Sequence, residues 1–116
     1  LPWSPLATGS LTGKYINGTR PKGSRWSYAQ RNGLFRDTEE AELAVKAYLD
    51  IANKYDMTAA QLALAWVNQV DGVTSTIIGA TSLTQLQENI QAFDIKFTEE
   101  MAVDINETLK RFPAPF

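Results

Sequence analysis

The sequence predicts an α/β protein, because two segments typical of strands are interleaved with segments of helical spacing. The chain opens on the apolar residues LPWSPL, which resemble the tail of a strand, and the β-branched run VTSTIIG occupies residues 73–79. The predicted order is strand, long loop, helices, strand, helix and helix. Because two strands alone make a poor sheet, this order indicates the closing segment of a larger sheet or barrel.

The stretch WSPLATGSLTGKY, residues 3–15, follows the first predicted strand. It combines an aromatic ring, short hydroxyl side chains, glycines and a lysine. A ligand with a flat ring at one end and phosphates at the other would use all of these features, and a dinucleotide is such a ligand. Residues 8–32 are rich in glycine and polar side chains without periodicity, which predicts a long loop of the kind that usually carries function.

The first helix is predicted to begin at Asp37, since Glu40 three residues later completes the pattern of a capping box. The acidic side chains here could suggest a metal site, but acidic residues are favoured in the first turn of a helix, so capping is the preferred interpretation. These acidic residues are Asp37, Glu39, Glu40 and Glu42. The predicted buried face consists of Ala41, Ala44, Val45, Tyr48, Ala52 and Tyr55.

The second helix is predicted to begin at Thr58 and to run to about Gln69. Gln61 occupies the reciprocal position of a capping box, and Met57 is placed to pack against Leu62.

Two more helices follow the predicted strand at residues 73–79, which itself comes after a turn signal at residues 71–72. The third helix is predicted to begin at Ser82, with Gln85 three residues on, and the fourth after Thr98. Their apolar side chains at helical spacing are Leu86 and Ile90 in the third helix, and Met101, Ile105 and Leu109, expected to face inward, in the fourth.

The stretch IIGATSLTQLQENI, residues 77–90, predicts a strand, a short turn and a helix start. This arrangement aims backbone N–H groups and the positive end of the helix at one point, which suits a phosphate. Helix capping alone is the commoner explanation of such a turn. The candidate phosphate contacts are Gly79, Thr81, Ser82 and Gln85, and Glu88 and Asn89 are placed to bind a ribose or an adenine edge.

Each candidate has a plainer explanation. Trp3 alone is more often a core aromatic than a stacking platform. Lys14 and Arg25 are, on base rates, solvated surface cations.

Composition excludes several classes of function. The 116-residue chain has a formal charge of −2, which argues against non-specific nucleic-acid binding. It has no cysteine and no histidine, so it can supply neither a Ser-His-Asp triad, a thiolate nucleophile nor the usual transition-metal ligands. The most apolar run, LALAWV at residues 62–67, is too short to cross a bilayer, and the opening lacks the basic head of a signal peptide. We therefore expect a cytoplasmic protein with no membrane partner.

Together, the two quoted stretches resemble the segments at the seventh and eighth strands of the aldo-keto reductases. The resemblance is strongest to the branch that includes the potassium-channel β subunits and similar bacterial reductases. It covers essentially the whole chain, with QLALAWV between the two motifs in its expected place. The resemblance implies that residues 1–116 are the C-terminal part of a single (β/α)₈ barrel domain whose N-terminal part is missing.

The resemblance also implies an NADP cofactor, with NAD possible, and a small-molecule carbonyl substrate that accepts hydride from the nicotinamide. Trp3 matches the aromatic residue on which the nicotinamide stacks. The matches to the pyrophosphate turn are Ser4, Leu6, Ala7 and Thr8; those to the cofactor-covering loop are Lys14 and Arg25. Those near the 2′-phosphate are Gly79, Thr81 and Gln85, and those at the adenine are Glu88 and Asn89.

Departures from the family pattern leave alternatives open. The barrel typically needs about 250 residues, and the catalytic Asp, Tyr, Lys and His of the family come from earlier strands, so no catalytic residue is assigned here. Many members carry an arginine where this chain has Gln85, which leaves the choice between NADP and NAD open. The alternatives to a reductase are a regulatory cofactor-sensing subunit and an inactive truncated product, and the oligomeric state is not predicted.

Overall fold

The computed structural model describes residues 1–28 and 36–115. Within these residues, four α helices follow one another: α1 (Glu39–Lys54), α2 (Ala59–Gln69), α3 (Leu83–Ala92) and α4 (Glu99–Arg111). Among the described residues before α1, short 3₁₀ turns occur at Ala7–Thr12, Ile16–Gly18 and Arg25–Ser27. The predicted order of helices is confirmed. None of them, within the described residues, is long and apolar enough to cross a membrane.

Every helix begins with a hydroxyl cap, because Ser and Thr side chains accept a hydrogen bond from an N–H group that the first turn leaves unpaired. The predicted starts at Thr58, Ser82 and Thr98 are confirmed, and Thr58 and Gln61 form both bonds of the capping box. The hydroxyl oxygens accept from the N–H groups of Ala41 (3.1 Å, to Thr38), Gln61 (3.1 Å, to Thr58), Gln85 (3.2 Å, to Ser82) and Met101 (3.3 Å, to Thr98).

The predicted cap at Asp37 is wrong by one residue. Thr38 caps α1, and its Oγ1 accepts from Ala41. The carboxylate of Asp37 instead lies 2.6 Å from Nη2 of Arg20. Asp37 and Thr38 are both residue types that can cap a helix. Asp37 instead forms an ion pair with Arg20, seventeen residues earlier in the chain, which the local sequence pattern does not show.

The prediction of strands at the opening and at residues 73–79 is wrong for this chain, because no strand occurs among the described residues. The two segments nevertheless meet, since the N–H of Ile77 donates to the carbonyl of Pro2 at 3.0 Å. A strand needs a repeated ladder and neighbours that cover its faces. Residues 73–79 form no such ladder, and none of them is buried.

The core lies between α1, α2 and α4. Its centre is a buried cluster of Ile51, Ala52, Ala59, Leu62 and Ile105, against which Met57 packs. Met101 and Ile105 of α4 are buried as expected, whereas Leu86 and Ile90 of α3 lie at the surface. Apolar side chains that are more than half exposed are concentrated in the opening residues 1–3, in residues 73–79 and in α3. They include Leu1, Trp3, Ile77, Leu83 and Ile90.

Candidate functional site

The turn after Trp3 has an unusual backbone. Ser4, Ala7 and Thr8 adopt positive φ angles of 56°, 49° and 58°, in the left-handed region that disfavours residues with a Cβ. Each such residue costs about 1–3 kcal/mol and persists only where the surroundings enforce it. Here the N–H of Ala7 donates to the carbonyl of Ser4 at 3.0 Å, and that of Leu11 donates to Leu6 at 3.1 Å. Backbone strain of this kind is typical of turns that bind a ligand.

The side chains of this turn separate into exposed and buried ones. Trp3 is 78% exposed, so its interpretation as a core aromatic is wrong for this chain and its ring is available for stacking. Ser4, Leu6 and Thr8 are half-buried, and Ala7 is buried. The hydroxyl of Thr8 donates to the carbonyl of Ala7 at 2.7 Å.

Lys14 lies close to the same turn. A Cβ atom added at Gly9 would lie 3.0 Å from Cε of Lys14, so the glycine allows the lysine side chain to approach. The ammonium of Lys14 is 5.5 Å from the centre of the Tyr15 ring. Lys14 is therefore half-buried against the loop. An ordinary surface cation would extend into solvent, so that interpretation does not describe Lys14.

The loop contains an aromatic pair that the sequence pattern does not predict. The rings of Tyr15 and Trp26 stack with centroids 4.2 Å apart and planes 4° apart, and both residues are 5% exposed. The N–H of Trp26 donates to the hydroxyl oxygen of Tyr15 at 3.3 Å. Arg25, predicted to bind the cofactor, is exposed and directly precedes Trp26.

Arg20 fastens this aromatic pair to the helices. Its guanidinium carbon lies 5.1 Å from the ring of Trp26 and 5.8 Å from that of Tyr15, within cation–π range. Its nitrogens donate to the carbonyl of Tyr15 at 3.4 Å and to Asp37 at 2.6 Å. Since Asp37 directly precedes the cap of α1, the ion pair between Arg20 and Asp37 links the loop to that helix.

The distribution of charge along the chain would have drawn attention to this segment. Residues 1–36 contain six Lys or Arg and no acidic residue, whereas the remaining residues contain five basic and all thirteen acidic ones. The net charge of −2 conceals this division. Because a local cluster of one sign sets up a field that net charge does not describe, the first segment favours an anionic ligand.

At the start of α3, the predicted phosphate contacts bond to one another. Oε1 of Gln85 accepts from the N–H of Thr81 at 2.9 Å and from its hydroxyl at 3.0 Å. An anion that used these two donors would have to displace the Gln85 side chain. Gly79, in contrast, is open, because a Cβ placed there would meet no atom within 4 Å.

Asn89 and Glu88 lie further along α3. Asn89 is 4% exposed, and its Nδ2 donates to the carbonyl of Gly79 at 3.5 Å, which ties the helix to the turn before it. Glu88 is half-buried. The amide of Asn89 thus supports the turn in this structure, and its contact with adenine stays a prediction.

The bond between Ile77 and Pro2 brings the two predicted motifs together. Ser4 lies two residues after Pro2, and Gly79 lies two residues after Ile77. Because two residues extend over at most about 7 Å, both turns begin close to this bond. Two stretches more than seventy residues apart in the sequence therefore contribute to one region of the molecule.

Other charged groups of the helices serve packing. Glu42 accepts from Lys46 at 2.7 Å and from the N–H of Asn17 at 3.3 Å, and these bonds lower the pKa of its carboxyl group.

An apolar cavity of about 190 Å³ lies between the Ala7–Thr12 turn, α1, α2 and α4. Its lining includes Pro5 and Leu11 of the turn after Trp3, together with Tyr48, Leu62, Trp66 and Ile105. No group of His, Cys, Asp and Glu suited to a metal ion occurs in the described ranges.

Comparison with known proteins decides the family, since residues 1–110 match the aldo/keto reductase family. The chain belongs to the aldo/keto reductases. It is 38% identical to protein tas of Escherichia coli over 117 aligned positions, which cover 99% of this chain and 34% of that protein. It is 40% identical over 95 positions to a probable voltage-gated potassium channel subunit beta of Arabidopsis thaliana, covering 80% of this chain and 29% of that protein. A protein of the same description from rice is 38% identical over 95 positions.

Membership of the aldo/keto reductases confirms the resemblance and implies the (β/α)₈ barrel as the fold of the family. The chain spans about a third of the length of these relatives, at 34% and 29%. The cofactor contacts assigned to individual residues stay predictions.

Proposed function

We propose that this chain is the cofactor-binding portion of an NADP-dependent aldo/keto reductase that reduces a carbonyl to an alcohol. The observation that carries the proposal is the meeting of the strained turn after Trp3 and the open turn at Gly79, joined by the bond between Ile77 and Pro2. The bound nicotinamide would supply the hydride. The residues of this chain would bind and orient the cofactor.

We further propose that the chain forms about the seventh and eighth β/α units of the barrel, at the C-terminal end of one domain. The pairing of Ile77 with Pro2 supports this placement, because those two segments would be neighbouring strands. Exposed Leu1 and Ile77 support it too, since strands of a complete barrel would cover such side chains. The remaining units would lie in a longer polypeptide.

Each part of the cofactor has a suitable group in this arrangement. The exposed ring of Trp3 suits stacking on the nicotinamide. The turn at Ser4, Leu6, Ala7 and Thr8, with Lys14 and Arg25, suits the pyrophosphate. Gly79, Thr81 and Gln85 are assigned to the 2′-phosphate, and Glu88 and Asn89 to the adenine. NAD is the alternative cofactor, since a neutral amide at Gln85 offers a 2′-phosphate no charge.

Titration of NADPH and NADH into the protein expressed from its complete reading frame, followed by nicotinamide fluorescence, tests the cofactor assignment. Lys14→Ala should weaken NADPH binding about fivefold or more, because it removes a cation beside the turn. Lys96→Ala, which removes an exposed cation just before α4, serves as the matched control and should leave binding unchanged. Absence of saturable binding of both cofactors to the wild type would exclude the proposed function.

The catalytic step is tested separately. The same protein, supplied with NADPH and a reactive aldehyde such as 4-nitrobenzaldehyde, should oxidise the cofactor. The isolated 116-residue chain should not, because no catalytic residue is assigned to it. Turnover by the isolated chain well above a protein-free control would contradict this division of roles.

A regulatory cofactor-sensing subunit is the second candidate, favoured by relatives described as potassium channel subunits. Cofactor binding without aldehyde turnover in the complete protein would support it over the reductase. An inactive truncated product would neither bind nor turn over. For every candidate we propose a cytoplasmic location and no nucleic-acid or membrane partner, and for the reductase a small-molecule carbonyl substrate.

A further inference from the structure

The stack of Tyr15 on Trp26 is a geometry that aromatic pairs favour. The rings are parallel with centroids 4.2 Å apart, and because stacked carbon atoms lie about 3.5 Å apart, one ring is displaced sideways over the other, as ring quadrupoles prefer. Arg20 adds to this attraction, because its guanidinium lies 5.1 Å from one ring and 5.8 Å from the other. The surroundings therefore hold the two rings in a defined position.

The stack fixes two points of the backbone that each carry a cation. Lys14 directly precedes Tyr15, and Arg25 directly precedes Trp26. The N–H that bonds to the Tyr15 hydroxyl at 3.3 Å belongs to the peptide that joins Arg25 to Trp26. The position of Arg25 is thus coupled to the ring beside Lys14.

The charges of this segment are not balanced within the described residues. Arg20 pairs with Asp37, but neither Lys14 nor Arg25 forms an ion pair there. Residues 1–36 include no acidic side chain at all. A cluster of positive charge without acidic partners favours an anionic ligand.

We propose that the stacked pair of Tyr15 and Trp26, braced by Arg20, is a positioning element that directs Lys14 and Arg25 to the phosphates of one ligand. The proposal rests on the proposed function and adds residues that do not themselves contact the cofactor. It predicts that the contribution of Arg25 to binding depends on Trp26.

A double-mutant cycle in the protein expressed from its complete reading frame tests this dependence, with NADPH titrated by its own fluorescence. Trp26→Ala should weaken binding about fivefold to tenfold, and Trp26→Phe should restore most of it because the ring is kept. Arg25→Ala should weaken binding in the wild type but cause little further loss once Trp26→Ala is present. A role of Trp26 in stability alone would not abolish the effect of Arg25→Ala in this way.

Two further variants guard against misfolding and against a general effect of aromatic residues. Tyr15→Phe keeps the stack and removes only the oxygen that accepts from Trp26; it should weaken NADPH binding about threefold. Tyr28→Ala removes an exposed ring of the same segment, 54% accessible, and should have no effect.

The outcomes separate this proposal from the proposed function. Binding by the wild type together with additive effects of Trp26→Ala and Arg25→Ala, or with unchanged binding by Trp26→Ala and Tyr15→Phe, would overturn the positioning role alone. Failure of the wild type to bind NADPH and NADH would overturn both.

Discussion

The N-terminal segment, residues 1–28, and the helical region from α1 to α4 are built on different principles. Each helix begins at a Ser or Thr cap that satisfies its own first turn. In the N-terminal segment, Ser4, Ala7, Thr8 and Asn17 all adopt positive φ, whereas Asp56 is the single non-glycine example in the described helical region. The helices are locally satisfied, and the N-terminal segment is held in a strained shape by contacts from elsewhere.

Two of those contacts come from α1 and from the residue before its cap. Glu42 accepts from the N–H of Asn17, and Asp37 pairs with Arg20. The acidic helical region therefore holds the basic segment at its edges. Strain held in place by a stable scaffold is typical of binding turns, since the scaffold keeps the turn ready for its ligand.

The largest expected effect tests the junction of the two regions. Gly13 has φ of +81°, and a Cβ there would lie 2.9 Å from Cδ2 of Leu49 in α1. Gly13→Val should lower the free energy of unfolding by roughly 2–5 kcal/mol, about 1–2 from left-handed backbone and about 1–3 from overpacking. Urea unfolding of the protein expressed from its complete reading frame measures this loss.

Gly18→Val is the matched control for this prediction. Gly18 has a similar φ of +73°, but a Cβ there meets no atom within 4 Å. The control should show only the backbone cost of about 1–2 kcal/mol. Equal losses in both variants would mean that packing of the loop on α1 is unimportant.

The next effect tests whether the helical region contributes to the ligand site of the N-terminal segment. Gln85→Arg should shift preference toward NADPH over NADH about tenfold, or ~1.4 kcal/mol, because a planar cation binds a phosphate through two charge-assisted bonds. The change also frees the N–H and hydroxyl of Thr81, which now donate to Gln85. Fluorescence titration of both cofactors gives the ratio of the two dissociation constants.

Gln85→Glu separates these two contributions. A carboxylate can still accept from Thr81, but its charge repels a 2′-phosphate, so the preference should move toward NADH. If Gln85→Arg and Gln85→Glu gave the same ratio of dissociation constants as the wild type, the start of α3 would be a capped helix without a role in binding.

A smaller effect tests the local character of the helices. Thr58→Ala should cost about 1 kcal/mol of stability, because it removes the oxygen that accepts from the N–H of Gln61. Thr58→Ser keeps a hydroxyl and should retain most of the stability. Urea unfolding midpoints of the two variants and the wild type measure the loss of stability. A loss in Thr58→Ser as large as that in Thr58→Ala would show that the methyl group of Thr58, and not its capping oxygen, stabilises the helix.

The sequence predicts the helical region better than it predicts the N-terminal segment. Caps at Thr58, Ser82 and Thr98 could be predicted because a helix start depends on residues three positions apart. The stack of Tyr15 on Trp26 could not, since it joins residues eleven apart through a loop without periodicity. The absence of strands could not be predicted either. Segments such as residues 73–79 have strand propensity, but a ladder requires partners that propensity does not supply.

The smallest effect concerns a partly exposed link between α1 and α4, and it is visible mainly in the pH dependence of stability. Oδ2 of Asp104 accepts from Nζ of Lys54 at 2.8 Å and from the hydroxyl of Tyr55 at 2.6 Å. The bond from Lys54, followed by that from Tyr55, lowers the pKa of the Asp104 carboxyl group. The same bonds raise the pKa of Lys54 and of Tyr55.

The signs of these shifts set the expected profile. A carboxyl group whose pKa is lowered by folding stabilises the protein above its ordinary pKa of about 3.9, and this contribution is lost as the pH falls through the lowered value. The raised pKa values of Lys54 and Tyr55 act in the opposite sense, so their contribution is complete below about pH 10 and lost as the pH rises through the raised values.

Asp104→Asn should flatten both slopes while changing stability little at pH 7, since exposed ion pairs contribute little. Urea unfolding from pH 2.5 to 5 and above pH 10 measures the slopes, with Asp50→Asn, an exposed carboxylate of α1, as the control for loss of charge. Unchanged slopes in Asp104→Asn would show that α4 is held to α1 by its buried apolar face alone.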